Sequence, residues 1–409
     1  MANVSSSNGL EKRPKLRFPD FDESYKDTTL GEIASLVNRT DPKSDAPIMM
    51  LSAGNGFIMQ SEKYSRDNAG QSLKKYILLK KGELAYNHGA SKAKQYGCCY
   101  ELTENEARIP YVYHCFKVCE TEYTPYIAIA LNNTKMDNQL KRLVSSSVRM
   151  DGLLNISFED YMSITMSLPS SEEQKHIADF LSKLDERIKA QERLVSSLKK
   201  YKRGVMQRIF RNMSMLSPSG FETVQLSAIF KKISRRNSNE EIKNVITNSA
   251  EYGLIPQRDF FDKDIAVDGN TSNYYVIEHG DFVYNPRKSN TAPYGPFNRY
   301  EREERGIISP LYTCLVLQAD IEPSYLVWYF KSDAWYRYIY DNGSQGVRYD
   351  RVSMTDGLLM GIPVIIPSKE AQLKIAKLLD CLESRFQTEL SQYESLKSIR
   401  VALLQQLFI

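Results

Sequence analysis

The chain has 409 residues and a formal net charge of +4, with 42% hydrophobic and 25% charged residues. This composition is that of an ordinary globular protein and excludes a collagen-like or wholly disordered chain. No apolar run reaches the roughly 18 residues of a membrane span, so we expect a cytoplasmic protein, and the net charge is too small to indicate nucleic-acid binding by itself.

The first predicted segment, residues 1–13, is polar and lacks the apolar core of a signal peptide. We expect it to be a flexible tail. Residues 14–168 then mix strand and helix patterns. The stretch "KYILLKKGELAYN", which ends at Asn87, is typical of a strand, a glycine turn and a second strand. Residues 14–168 are therefore predicted to form a mixed α/β globule.

Residues 169–210 are predicted to form one long helix. Ser170 or Ser171 can cap it, acidic residues occupy its first turn, and no proline interrupts it. Its apolar residues recur about every 3.5 positions, as in a coiled coil, with polar breaks at Gln191 and Lys202. At about 1.5 Å per residue such a helix is roughly 60 Å long, and its apolar seam needs a partner along that length.

After a linker at residues 211–222, the same plan recurs. Residues 223–366 are predicted to form a second α/β globule and residues 367–409 a second long helix. Pro169–Phe210 aligns with Pro367–Phe408 without a gap, and 14 of the 42 positions are identical. The chain is therefore interpreted as a tandem duplication. Antiparallel packing of the two helices would bury both seams; packing of each helix on its own globule is the alternative.

Few residues in the chain suit catalysis or metal binding. The sequence has no Gly-x-x-x-x-Gly-Lys phosphate loop, no Gly-x-Gly-x-x-Gly fingerprint and no Gly-x-Ser-x-Gly elbow. The stretch "YNPRK" only faintly resembles the Asn-Pro-Pro-Tyr pocket of adenine methyltransferases. Six cysteines and four histidines lack the spacing of a zinc site, and we expect reduced thiols. No catalytic residue and no metal site are predicted, which favours a recognition or scaffolding role.

Two loops carry side chains suited to DNA. "YNHGASKAKQYG" and "YNPRKSNTAPYG" both join a Tyr-Asn strand end to a Tyr-Gly turn, yet their interiors differ. Asn and Arg pair with base edges, and Lys and Ser bind phosphates or bases; a solvated basic loop is the alternative. The candidate DNA-binding residues of the loops are Asn87, His88, Lys92, Lys94, Asn285, Arg287, Lys288 and Asn290.

A short phrase, Val-Arg-x-Asp, occurs once in each copy. It reads "SVRMD" around Arg149 and "GVRYD" around Arg348. Because the phrase is kept where the loops vary, both arginines are predicted to bind DNA phosphates, which position a protein without reading sequence. The alternative is an ion pair that holds the turn, with Asp151 or Asp350 as the partner.

The long segments contain a recognisable motif, Pro-x-x-Glu-x-Gln-x-x-Ile-Ala-x-x-Leu, which leads into a helix ending at Gln-x-x-Phe and occurs in both copies. Together with "PKLRFPDF" at Pro14–Phe21, it makes the chain resemble the specificity (S) subunit of type I restriction–modification systems over nearly its whole length. One of the departures between the two copies is Ala371, which stands where the first copy has Glu173. That departure is interpreted as weakening one partner contact.

The resemblance implies an α+β fold with long helices: two pseudo-symmetric target recognition domains separated by an antiparallel two-helix coiled coil. Each domain would read half of a split DNA site. The coil would set the spacing and dock two methyltransferase subunits, which bring S-adenosylmethionine, and two restriction subunits would bring ATP and Mg²⁺. The residues implied to bind partners are Glu172, Gln174, Ile177, Leu181, Glu370, Gln372, Ile375 and Leu379.

Three other functions remain open at this stage. The chain could serve a methylation-only system or a silent, phase-variable one, which only neighbouring genes would separate from the leading interpretation. A standalone DNA-binding regulator would bind its site stably without a methyltransferase. A self-contained enzyme is disfavoured by the missing motifs.

Overall fold

The computed structural model describes residues 13–63, 70–92, 94–144, 154–213, 220–260, 271–343 and 350–409. The chain divides into two compact units. Unit 1 comprises Met1–Glu192 and Gln392–Ile409, and unit 2 comprises Arg193–Ser391. Each long helix is therefore shared between the two units. No helix in the described ranges is both long and apolar enough to cross a membrane.

Unit 1 is a mixed α/β globule that ends in the first long helix. Its strands are β1 Lys26–Thr29, β2 Ala34–Leu36, β3 Met49–Ser52, β4 Gly56–Met59, β5 Ile77–Lys80, β6 Leu84–Asn87, β7 Cys98–Glu101, β8 Glu106–Ile109, β9 His114–Val118 and β10 Thr165–Leu168. Its helices are α1 Leu30–Ile33, α2 Gln60–Lys63, a 3₁₀ turn at Gly70–Lys75, α3 Thr124–Leu131, α4 Thr134–Leu143, α5 Phe158–Met162 and α6 Ser171–Arg211.

Unit 2 repeats this plan. Its strands are β11 Phe221–Gln225, β12 Phe230–Lys232, β13 Val245–Ser249, β14 Gly253–Pro256, β15 Tyr275–Ile277, β16 Phe282–Tyr284, β17 Phe297–Arg299, β18 Gly306–Ile308, β19 Thr313–Leu317 and β20 Pro363–Pro367. Its helices are α7 Leu226–Ile229, α8 Gln257–Phe260, α9 Pro323–Lys331, α10 Tyr336–Asn342, α11 Asp356–Met360 and α12 Lys369–Leu407.

Two sheets of each unit correspond strand by strand, whereas the other strands form the two-stranded sheets β3-β4 and β5-β8 in unit 1 and one sheet, β14-β13-β18-β15, in unit 2. Unit 1 has an antiparallel four-stranded sheet in the order β2-β9-β6-β7, and unit 2 has one in the order β12-β19-β16-β17. In each unit the first strand pairs with the last: β1 with β10 and β11 with β20, both antiparallel. The duplication that the sequence predicts is therefore present in the topology, and the last strand of each globule leads into a long helix.

Strand alternation explains how each sheet is buried on both faces. Leu84 and Tyr86 belong to the cluster that includes the start of α6, whereas Ala85, between them, belongs to a second cluster on the opposite face. In unit 2, Phe282 and Tyr284 lie in one cluster and Val283 in another. Because successive side chains of a strand point to opposite faces, one strand contributes to two cores.

Both long helices begin at the serine that the sequence indicates. The Oγ of Ser170 accepts a hydrogen bond from the backbone N–H of Glu173 at 3.4 Å, and the Oγ of Ser368 accepts one from Ala371 at the same distance. Such caps satisfy amide groups that have no partner in the first helical turn. The helices contain 41 and 39 residues, so each is about 60 Å long.

In unit 1 the two long helices pack antiparallel. Ile177 and Leu181 share a buried cluster with Leu407. Further along α6, Asp185 accepts hydrogen bonds from Arg400, one of them at 2.9 Å. Later residues of α6 thus meet earlier residues of α12, as antiparallel packing requires.

Unit 2 shows the same arrangement with the other halves of the helices. Ile209 lies in one cluster with Ile375 and Leu379, and Lys202 of α6 pairs with Glu383 of α12. The predicted antiparallel coil is therefore confirmed within each unit. The polar break at Lys202 is half-buried and is paired with Glu383, so it helps to fix the register of the two helices.

Candidate nucleic-acid interface

The two variable loops have the same backbone frame, beginning with a tyrosine clamp. The Tyr86 hydroxyl at the end of β6 donates to the carbonyl oxygen of Tyr96, and the Tyr284 hydroxyl donates to that of Tyr294 at 2.8 Å. Burial raises the pKa of both hydroxyls well above their usual range. Both therefore stay protonated and close the loops, residues 87–97 in unit 1 (with Ala93 outside the described residues) and 285–295 in unit 2.

An asparagine turn starts each loop. The Oδ1 of Asn87 accepts a hydrogen bond from the N–H of Gly89 at 2.9 Å, and the Oδ1 of Asn285 accepts one from Arg287 at 3.0 Å. The buried Asn285 also donates from Nδ2 to the carbonyl oxygen of Asn248 at 3.0 Å. Both asparagines therefore shape their loops, as is typical of Asx turns.

A serine turn and a glycine end each loop. The Oγ of Ser91 accepts from the N–H of Lys94 at 3.1 Å, and the Oγ of Ser289 accepts from Ala292 at 3.0 Å. Gly97 and Gly295 have φ angles of 86° and 85°. A Cβ atom there would lie 2.4 Å from the carbonyl oxygen of Asn87 and 2.0 Å from that of Asn285, so only glycine fits.

Two of the predicted DNA-binding residues of unit 1 are engaged within the unit. Lys94 donates from Nζ to the carbonyl oxygen of Asn132 at 2.7 Å, at the C-terminal end of α3, and burial lowers its pKa. His88 is 8% exposed, and its Nδ1 lies 2.8 Å from the carbonyl oxygen of Leu154. These two side chains therefore hold the loop against its surroundings.

The remaining loop candidates are exposed. Lys92 is exposed in the first loop, and Arg287, Lys288 and Asn290 are exposed in the second. Arg287 has the carboxylate of Asp350 4.0 Å away. The two frames therefore present different residues to solvent: Lys92 matches Asn290, whereas Arg287 and Lys288 match Gly89 and Ala90.

The chain that follows each Val-Arg-x-Asp phrase is hydrogen-bonded to a variable loop. Arg149 and Arg348 themselves lie outside the described residues. The chain that follows the phrase is bonded to the loop in both units, since the N–H of Leu154 donates to the carbonyl oxygen of His88 at 2.9 Å and that of Val352 donates to Pro286 at 2.8 Å. Among the described residues, these bonds join the segments beginning at Leu154 and Asp350 to the variable loops.

The motif glutamines join each long helix to its globule. The Oε1 of Gln174 accepts a hydrogen bond from the backbone N–H of Tyr123, just before α3, at 2.9 Å. The Oε1 of Gln372 accepts one from Glu322, just before α9, at the same distance. Both glutamines are buried, so they act within the chain.

The other predicted partner-binding residues divide by exposure. Four of them are buried in the cores of their own units: Ile177, Leu181, Ile375 and Leu379. The carboxylates of Glu172 and Glu370 are exposed. Of the eight, these two therefore lie where a second protein can contact them.

Comparison with known proteins gives a family for the first unit and a fold for the chain. Residues 23–200 match the family described as "Type I restriction modification DNA specificity domain". The matched residues cover most of unit 1 and the first residues of unit 2 within α6. The resemblance that the sequence motifs indicate is therefore confirmed. No curated protein sequence matches the chain.

Three solved structures resemble the whole chain. The type I restriction–modification S subunit from M. genitalium is 15% identical, with 97% of this chain and 99% of that chain covered and a TM-score of 0.56. A second structure comes from work on complex assembly and conformational transition of the type I R-M system. It is 16% identical, with 94% of this chain and 97% of that chain covered and a TM-score of 0.53. The HsdS subunit from Thermoanaerobacter tengcongensis is 15% identical, with 98% and 99% covered and a TM-score of 0.49. The first two show that the chain has the specificity-subunit fold.

Unit 1 contains a buried ion pair that the sequence pattern does not predict. Glu173 is fully buried, and its carboxylate accepts hydrogen bonds from Arg17 at 2.9 and 2.7 Å and from the Tyr25 hydroxyl at 3.2 Å. The N–H of Leu16 also donates to the carbonyl oxygen of Gln406, in the last turn of α12, at 3.1 Å. The "PKLRFPDF" segment thus binds both long helices of unit 1.

This ion pair explains the departure of Ala371 from the repeat. Glu173 serves an N-terminal segment inside its own unit, and Ala371 is itself buried in unit 2. The only signal in the sequence was the mismatch between the two copies at this position. Its interpretation as a weakened partner contact is not the role that the structure gives Glu173.

Proposed function

We propose that this chain is the DNA sequence-specificity subunit of a type I restriction–modification complex and that each unit reads one half of a bipartite site. The observation that supports this most directly is the pair of identical loop frames with different exposed side chains. A fixed frame holds the reading side chains in one geometry, and their chemistry sets the base that they prefer. The specificity domain matched in unit 1 supports the same proposal.

In unit 2 the exposed Arg287, Lys288 and Asn290 would make the base and phosphate contacts of the loop. Arg suits guanine edges and Asn suits adenine edges, whereas Lys binds phosphate as a point charge. In unit 1 the exposed Lys92 has the matching place, and the other candidates of its loop shape the frame. Arg149 and Arg348 remain predicted phosphate contacts, because the phrase that contains them is kept in both copies and phosphate contacts carry no sequence preference.

The long helices would set the distance between half-sites and dock two methyltransferase subunits. Because Gln174, Gln372 and the buried apolar residues serve the chain's own packing, docking would use exposed positions such as Glu172 and Glu370. The chain itself would have no catalytic role. S-adenosylmethionine would be bound by the methyltransferase subunits, and ATP with Mg²⁺ by two restriction subunits.

The direct experiment compares the methylome of a host with and without this gene. We expect one bipartite N6-methyladenine motif to disappear with the gene. Methylation that is unchanged, or a motif without two separated halves, would contradict the proposal.

A domain exchange tests the assignment of one half-site to each unit. Residues 14–165 replaced by the matching segment of a relative with a different site should change one half of the motif and leave the other half as it was. A change in both halves would show that the units do not read independently.

A further inference from the structure

We propose that a second element reads DNA in each unit: the apolar tip of the turn between β8 and β9 in unit 1, and between β18 and β19 in unit 2. This inference rests on the proposed function and adds specificity-determining residues to it. The tips are Tyr111 and Val112 in unit 1 and Leu311 in unit 2. The sequence carries no signal for these residues, since isolated exposed apolar side chains are ordinary on protein surfaces.

Strand register places each turn at the same end of the sheet as the variable loop. In unit 1, His114 at the start of β9 pairs with Tyr86 of β6, and the loop begins at the next residue, Asn87. In unit 2, Thr313 at the start of β19 pairs with Tyr284 of β16. Because these strand pairs are antiparallel, the turn before one strand and the loop after the other lie at the same end of the sheet.

A direct contact in unit 1 confirms that the loop and the start of β9 are close. The rings of His88, in the loop, and His114 lie 5.1 Å apart between centroids. Tyr111 and Val112 precede His114 by three and two residues. Even a fully extended chain advances at most about 3.3–3.6 Å per residue, so the backbone of the tip lies within roughly one DNA major-groove width of the start of β9.

The two turns, like the two loops, have the same backbone hydrogen bond but different side chains at their tips. The N–H of Tyr113 donates to the carbonyl oxygen of Pro110 at 3.1 Å, and the N–H of Tyr312 donates to that of Ser309 at 3.1 Å. Between these bonds stand Tyr111 and Val112 in one unit and Pro310 and Leu311 in the other. Selection for folding alone does not require different side chains on two equal frames, whereas reading two different half-sites does.

Exposure and charge favour DNA as the occupant. Tyr111, Val112 and Leu311 are 50%, 36% and 60% exposed, so at least a third of each residue is open to contact by a ligand. The Nζ of Lys75 lies 5.8 Å from the centroid of the Tyr111 ring, which puts a cation for phosphate beside the tip. Apolar side chains contact thymine methyl groups and the edges of stacked bases in a groove.

Leu311→Ser tests this in the full chain assembled with its methyltransferase, by fluorescence anisotropy on a duplex that carries the motif found in the methylome. We expect affinity for that duplex to fall roughly tenfold. Affinity for a duplex with the half-site of unit 2 scrambled should stay unchanged. Leu311→Met keeps an apolar tip and should retain most of the affinity.

Phe221→Ser is the matched control, because Phe221 is 47% exposed in the same unit on β11, the strand that pairs with β20. It should leave both affinities unchanged. Equal affinity of wild type and Leu311→Ser for the motif would overturn the inference, as would loss of methyltransferase assembly in Leu311→Ser, which would indicate a protein contact at the tip. Failure of the wild-type complex to distinguish the motif from scrambled DNA would instead overturn the proposed function.

Discussion

Arg17 donates two hydrogen bonds to the buried carboxylate of Glu173, although 156 residues separate them in the sequence. The Arg17 side chain is 11% exposed and that of Glu173 is fully buried. The Tyr25 hydroxyl adds a third hydrogen bond to the same carboxylate. A single acidic side chain therefore holds the N-terminal segment of unit 1 against the start of α6.

Glu173→Ala should strongly destabilise unit 1. The substitution leaves the Arg17 guanidinium buried without its carboxylate, and breaking a buried ion pair from one side costs about 3–5 kcal/mol. Calorimetric unfolding of the full chain would measure the loss. Glu370→Ala is the control, since Glu370 makes an exposed pair with Lys374 and should change the unfolding little. Equal effects of the two substitutions would contradict the structural role of Glu173.

Gly295→Ala should disrupt the second loop, because its Cβ would overlap the carbonyl oxygen of Asn285 and its φ of 85° disfavours alanine. We expect a loss of about 1–3 kcal/mol in the free energy of unfolding and loss of specific DNA binding. Gly204→Ala, in α6 with no atom within 4 Å of a built Cβ, should instead stabilise the chain by about 0.5–1 kcal/mol. A Gly295→Ala chain that binds its motif normally would show that the frame is unnecessary.

The stability of unit 1 should fall as the pH drops below about 6.5, the ordinary value for histidine. Burial lowers the pKa of His114, so its ring stays neutral in the folded chain while the unfolded chain gains a proton in this window. The ionisable side chains near the ring include His88, Glu159, Tyr86 and Tyr161. Thermal unfolding between pH 7 and 5 should be less pH-dependent in His114→Thr, which carries the residue that unit 2 has at the matching place. An unchanged pH dependence would contradict this.

The coil in unit 2 should weaken at a lower pH. Burial opposes ionisation of Glu383, but hydrogen bonds from Gln387 and Lys202 outweigh it and lower the pKa of this carboxyl. The stabilisation is therefore present above about pH 4.5 and is lost as the pH falls through the lowered value. Helix content followed by circular dichroism from pH 6 to 3 should drop less steeply in Glu383→Gln, which starts from a lower stability. A Gln variant that tracks wild type at every pH would exclude the pair as the cause.

Four residues inserted after Lys199 should lengthen α6 by about one turn, roughly 6 Å. Because the proposed role of the helices is to set the spacing of half-sites, we expect the methylated motif to gain spacer length or methylation to stop. Methylome sequencing reads out both results. A functional variant with the original spacing would show that the helices do not act as the spacer.

The sequence predicts the long helices and the duplication well, since a 3.5-residue period and an ungapped repeat are local patterns. It predicts the loops as sites but does not indicate which of their side chains are engaged within the fold. Asn87 and Asn285 have the chemistry of base readers, yet the same amide groups close Asx turns, and composition alone does not separate these uses. Lys94 likewise depends on the Asn132 carbonyl, which only the tertiary fold brings near.

The joints made by Gln174 and Gln372 have a consequence for how such chains diversify. Each glutamine accepts a hydrogen bond from a main-chain N–H, that of Tyr123 in one unit and that of Glu322 in the other. The residue that donates this bond therefore has an unrelated side chain in each unit. Because this hydrogen bond does not depend on the side chain of the donor residue, the globule can change in sequence while the long helix keeps the same contact. Under the proposed function, a chain of this kind could acquire a new DNA site while the packing of its long helices stays unchanged.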